Sequence, residues 1–201
     1  MPGLDELISN SLAEIIKRNL DSGDEKKLKM QLFQKHGLSI KQAIQDFSKI
    51  NEILKNLLKT DVLSFEEICL REIISLKMNR NSVAVTIKDK KLKILIIEIL
   101  GDEEYRNIIE STLEKALLIS EIIETCKLSK TSGYRKISYL IRNGFLIPKK
   151  TEFTKKRRSV KRYTPIFKKI TIELNHTQSS VRLEIPLSII KQSSSIQKLT
   201  A

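Results

Sequence analysis

Tryptophan is absent from this 201-residue chain, and cysteine and histidine occur twice each. Cys69 and Cys126 sit far apart, each within an apolar helical pattern, and His36 and His176 are equally isolated. No group therefore has the close spacing of a metal site, and core packing is the role the pattern suggests for both thiols. Long apolar runs are missing too. The longest, over residues 94–100, is short and broken by Glu98, which excludes a membrane span. The opening MPGLDELISN lacks a basic stretch followed by an apolar one and a small-residue cleavage site, so the expected location is the cytoplasm. No glycine-rich phosphate loop, nucleophile elbow or paired-carboxylate motif is visible, so neither an enzyme nor a cofactor is expected.

What the chain does have is charge of one sign in one place. Residues 1–80 hold 13 Lys and Arg against 12 Asp and Glu, a net of +1. Residues 125–170 hold 15 basic residues against Glu152 alone, a net of +14, while the whole chain carries +13. A field this concentrated attracts polyanions. A solubilising tail would not interleave its cations with Ile137, Leu140, Phe145, Leu146 and Ile147, as this segment does.

Along the N-terminal part, Leu4, Leu7, Ile8, Leu12, Ile15, Ile16 and Leu20 keep a 3.6-residue period, and DSGD separates them from a second helix over 25–36 that Gly37 stops. Ser39 caps a third helix carrying Ile40, Ala43, Ile44, Phe47, Ile50, Leu54, Leu57 and Leu58, a seam long enough to leave apolar surface for a second copy. Ser64 and Glu67 form a capping box for a fourth, over 65–76. KMNRNS marks a domain boundary, and VAVTIK alternates as a short strand. Asp89 opens a helix to residue 100, Asp102 caps the next, 116–119 is extended, Ser120 caps a short helix and Ser129 caps a basic one. Two consecutive helices about three residues apart have helix-turn-helix spacing. After Gly144, FLIPKKTEF and SVKRYTP flank TKKRR as a hairpin with a basic tip, and KITIEL with VRLEI forms a second hairpin.

With Ser129 at the N-cap, Tyr134, Ile137, Leu140 and Ile141 fall on one buried stripe, and Lys130, Thr131, Ser132, Arg135, Lys136 and Ser138 point outward. Such a helix suits the DNA major groove, where Arg and Lys donate to guanine O6 and N7 and the hydroxyls reach bases or phosphates. Gly133 permits either a close backbone approach to DNA or a tight helix–helix crossing. Lys155, Lys156, Arg157 and Arg158 at the hairpin tip, supported by Lys149, Lys150, Lys161 and Arg162, form a wing placed over the phosphate backbone or minor groove.

The order helix, short strand, helix, basic helix, basic hairpin is that of a winged helix. Residues 89–165 resemble the winged helix-turn-helix of the ArsR-like family of prokaryotic, particularly archaeal, transcriptional regulators. Asp102, Tyr105 and Arg106 match a D-x-x-Y/R helix start; Ser120 and Ile123 match the second helix. Tyr134, Arg135, Ile137 and Leu140 match an S/T-x-x-Y-R-x-I-x-x-L recognition helix, and Gly144, Phe145 and Leu146 the start of the wing. The resemblance implies a homodimer that binds double-stranded DNA. The chain departs from the family's metal-sensing members, whose helices carry cysteine motifs, because Cys126 stands alone. The expectation is thus a mainly α protein with a small β wing. An N-terminal helical domain over 1–80 serves dimerisation or the sensing of a small-molecule or protein effector. A winged helix-turn-helix domain over 81–190 includes a C-terminal β-hairpin, and a disordered tail occupies 191–201. RNA binding, or general nucleoid-associated binding, is the alternative, since attraction to phosphate is independent of sequence.

Overall fold

The computed structural model describes residues 3–58, 61–153, 159–174, 176 and 179–196, with the backbone alone for 150–153 and 159. The fold is mainly helical with antiparallel β-hairpins, as the patterning leads one to expect. Helix α1 (Leu4–Asn19) turns its apolar stripe inward. Asp21 caps α2 (Ser22–His36) by accepting from Asp24 N at 2.7 Å, and Gly37 ends it at φ 66°. Only a residue tolerant of left-handed backbone closes a helix this way without strain.

The seam that follows is divided. α3 (Ile40–Ala43) gives way to a 3-10 turn (Ile44–Asp46) before α4 (Phe47–Leu57). The interruption has a partner from the far end of the chain: Ser194 Oγ donates to Ile44 O at 3.1 Å and accepts from Phe47 N at 3.2 Å. Ile40, Ala43, Ile44, Phe47, Ile50 and Leu54 are all buried within the single chain. Leu57 and Leu58, at the end of the seam, are half-buried. Asp61, rather than the expected Ser64, caps α5 (Val62–Ile73): its carboxylate accepts from Ser64 N at 3.0 Å and from Ser64 Oγ at 3.2 Å.

Helix α5 stops earlier than its apolar period suggests, because residues from Ile74 onward pair as β1 (Ile74–Met78) with β2 (Ser82–Ile87). The boundary expected near residue 80 therefore falls in a hairpin turn, and one cluster of buried residues runs across it from Leu4 to Ile196. β2 pairs with β6 (Ser179–Pro186), which pairs with β5 (Lys169–Leu174), giving one antiparallel sheet in the order β1-β2-β6-β5. Val83, Val85 and Ile87 of β2 and Val181, Leu183 and Ile185 of β6 are buried on its inner face.

Within the segment expected as a disordered tail, 191–196 are described as a turn packed against α1, and 197–201 lie outside the described residues. Asp5 in α1 is 1% exposed and accepts from Ser193 Oγ at 2.6 Å and from Ser194 N at 2.7 Å. A buried carboxylate requires such donors, and three successive serines supply them.

α6 (Lys90–Gly101) and α7 (Glu103–Leu113) start on Asp89 and Asp102 as expected, each carboxylate accepting from the backbone three residues on. Ser11 donates to Asp89 at 2.7 Å and so ties α1 to the start of α6. α8 (Ile119–Thr125) begins one residue before Ser120, and Glu121 caps it by accepting from Leu118 N at 2.8 Å. α9 (Lys130–Arg142) is capped by Ser129, which accepts from Ser132 N at 3.2 Å. β3 (Leu146–Phe153) and β4 (Ser159–Pro165) pair as the basic hairpin, and Leu117 bridges to Tyr163 beside it. Gly144, at φ 73°, makes the turn between α9 and β3; a Cβ there would lie 2.4 Å from Leu7 N. The turn between α9 and β3 thus lies directly against α1. Among the described residues no helix is long and apolar enough to cross a membrane.

Candidate nucleic-acid interface

Helix α9 buries Gly133, Lys136, Ile137 and Leu140, a stripe at spacings of three, one and three residues. Its opposite face carries Lys130, Thr131, Tyr134, Arg135, Ser138 and Arg142, all exposed. No acidic residue occurs on this helix. Ser132 is half-buried, with Oγ 3.5 Å from Glu104. Of the six residues expected on the outward face, four are fully presented. Gly133 is explained by the helix crossing: a Cβ there would stand 2.6 Å from Ile123 Cγ1 of α8.

Lys136 is the principal correction. Instead of facing solvent, its ammonium lies 2.7 and 2.8 Å from the two Asp102 oxygens, 3.0 Å from Glu104 and 4.3 Å from the centre of the Tyr105 ring. Burial works against its charge, but the hydrogen bonds to Asp102 and Glu104 outweigh it and hold its pKa above the ordinary lysine value. Asp102 is pulled below the usual aspartate value, chiefly by the Lys136 hydrogen bond and then by Tyr105 N. One carboxylate therefore caps α7 and anchors α9. Lys136 sets the attitude of the helix and is not available to a nucleic acid.

Tyr134 is the converse correction. Expected on the buried stripe, it is 51% exposed, beside Arg135 and one turn from Lys130 and Ser138. The stripe is completed by a glycine and a lysine, which hydrophobicity does not mark, and an apolar reading takes the adjacent tyrosine instead. Together with Arg142 and Lys127, the latter exposed at the turn between α8 and α9 with φ 52°, Tyr134 adds to the face that sequence reasoning outlined.

In the hairpin, Lys149 and Lys161 are exposed. Arg162 is not a free wing cation: its guanidinium donates to Glu121 at 2.6 Å and reaches Ala116 O at 3.5 Å, fastening β4 to the start of α8. The side chain of Lys150 and the whole of Lys155, Lys156, Arg157 and Arg158 lie outside the described residues. The cation set thus divides: Lys136 and Arg162 hold the helices and hairpin in place, and Lys130, Arg135, Arg142, Lys149 and Lys161 face outward.

Burial pushes Cys69 up to about 12, with Glu72 and Glu66 adding to the effect, so it stays protonated and unreactive. Cys126 is half-buried against Ser111. Comparison with models of protein families, with curated proteins and with solved structures found no match to this chain.

Proposed function

We propose that the chain is a sequence-specific, dimeric winged-helix protein that binds duplex DNA in the cytoplasm and regulates transcription. The observation that carries the reading is the outward face of α9. It is an exposed helix surface with Lys130, Arg135, Arg142 and small hydroxyls, without acids, on the second helix of a helix-turn-helix. Arg135, one turn into the helix, is placed for bidentate contact with guanine, Thr131 and Ser138 for bases or phosphates, and Tyr134 for a base edge or sugar. The basic hairpin beside it supplies phosphate attraction. The resemblance to ArsR-like regulators supports the same order of elements and adds the expectation of a two-fold dimer. Under this reading the N-terminal helices are the region open to a small-molecule or protein effector.

The test is selection of a preferred duplex from random DNA, followed by affinity measurements on that duplex, on scrambled DNA and on an RNA hairpin of equal length. Arg135→Ala is expected to cost roughly 1 to 3 kcal/mol on the selected site and far less on scrambled DNA. Equal affinity for all three nucleic acids, with no effect of Arg135→Ala on their ratio, overturns it.

A further inference from the structure

One edge of the four-stranded sheet carries a sequence that is complementary to itself. Among the described residues β5 pairs only with β6 and is the last strand of its sheet, so every second N–H and C=O along its free side points away from the sheet. Its residues read Lys-Ile-Thr-Ile-Glu-Leu from Lys169 to Leu174. Ile170 and Ile172 register against buried Leu183 and Val181 and lie on the inner face with Leu174; Lys169, Thr171 and Glu173 lie on the outer face. Ile172 is 36% exposed and Leu174 78%, far more than Ile87 of β2 or Leu183 and Ile185 of β6, which are 2% exposed or less.

We infer that β5 is the contact through which two copies of this chain associate, edge to edge and antiparallel, about a two-fold axis at Thr171. In that register Lys169 faces the partner's Glu173, Ile170 faces the partner's Ile172, and Thr171 faces its own symmetry mate. Each copy gives and receives the same contacts, so both lysine–glutamate pairs and both apolar pairs form at once, as an isologous interface requires. The opposite edge offers no such match. A two-fold on β1 at Lys77 would bring the lysines together, and one at Leu76 would set Ser75 against Lys77. Beside β5, a groove of about 370 Å³ is lined by Leu100, Ile109, Leu113, Phe167, Ile170 and Ile172. The partner's Leu174, which falls opposite Lys168 in this register, comes to the mouth of that groove. The association joins two four-stranded sheets into one of eight strands and gives the exposed Leu174 a cover.

The inference deepens the proposed dimeric reading by naming the contact, and it rests on that reading only for what the dimer is used for. Its test is therefore run on the full chain without DNA, by sedimentation across a concentration range. Wild type is expected to dimerise. Lys169→Glu and Glu173→Lys, each of which places two like-charged pairs across the axis, should weaken the dimer by about tenfold or more. The double variant Lys169→Glu/Glu173→Lys should regain it. In a Cys126→Ser background, Thr171→Cys should form a disulfide-linked dimer on mild oxidation, because facing Cα atoms in an antiparallel pair lie within disulfide reach. Ser75→Cys, exposed on the other edge, should not. A wild type that stays monomeric at every concentration overturns the inference, as does a dimer indifferent to the single reversals or one that the double variant fails to restore. DNA binding by such a monomer would leave the DNA reading standing, and a dimer that ignores DNA would sink that reading alone.

Discussion

The C-terminal half holds two hairpins: β3–β4 stands as a separate two-stranded sheet with cations along it, whereas β5–β6, of alternating sequence, is built into the four-stranded sheet and carries lysine and glutamate two positions either side of a threonine. Charge of one sign repels a second copy of itself and draws a polyanion. Charge that reverses about a centre attracts a second copy. On the readings proposed above, the first hairpin reaches for phosphate and the second for its own kind. They also differ in how they are held. β6 lies between two strands, while the wing is fixed at its base by the Gly144 turn against Leu7, the Leu117–Tyr163 bridge and the Arg162–Glu121 pair.

The largest effect is expected where the wing meets α1. Gly144→Ala combines a left-handed backbone with a Cβ that would stand 2.4 Å from Leu7 N, backbone that has no freedom to retreat. A loss of about 3 to 4 kcal/mol in urea unfolding is expected. Gly133→Ala meets a side chain, Ile123, instead of backbone, and should cost clearly less. Equal costs would show that the wing is not mounted on α1 as described.

A smaller effect sharpens the contrast in charge. Changing Lys155, Lys156, Arg157 and Arg158 together to Ala should weaken binding to every duplex alike, by about a hundredfold at low salt. The slope of log K against log salt should also become shallower by roughly 0.9 for each phosphate no longer contacted. The oligomeric state should be unchanged. Should the wing variant lose the dimer, or Lys169→Glu flatten the salt slope as much, the division of labour between the hairpins fails.

Much of this was legible in the sequence, and its range explains what was not. The caps at Ser39, Asp89, Asp102 and Ser129 are contacts between a side chain and a backbone N–H three residues away, and local spacing reveals them. The strands β2, β5 and β6 follow from period-two alternation for the same reason. The misread features depend on residues distant in the chain. Lys136 turns inward because Asp102 and Glu104 wait on α7, Arg162 because Glu121 caps α8, and the break after Ala43 is supported by Ser194. β1 becomes a strand only because β2 and β6 complete a sheet beside it. A basic run names an electrostatic surface, but the acids that remove two of its members lie elsewhere in sequence.

The smallest expected effect concerns the pair at the base of the wing. Glu121 is held below the usual glutamate value first by the hydrogen bond from Leu118 N and then by Arg162. A carboxyl depressed in the folded state adds stability that is fully present above its ordinary value of 4.5 and is lost as pH falls through the lower folded value. The side chains of Arg162 and Glu121 are 29% and 36% exposed, so solvent screens the pair and its worth is about 0.5 kcal/mol. Wild type and Glu121→Gln should therefore differ by this small amount at pH 6 to 7, on the order of the detection limit of urea titration, and converge as the pH is lowered below 4.5 and through the depressed folded value. The same substitution should leave dimerisation untouched, since no part of β5 is involved. A difference that persists undiminished at low pH would assign the effect to the shape of the α8 cap and not to charge, and the wing would then be held by the Gly144 turn and the Leu117–Tyr163 bridge without electrostatic help.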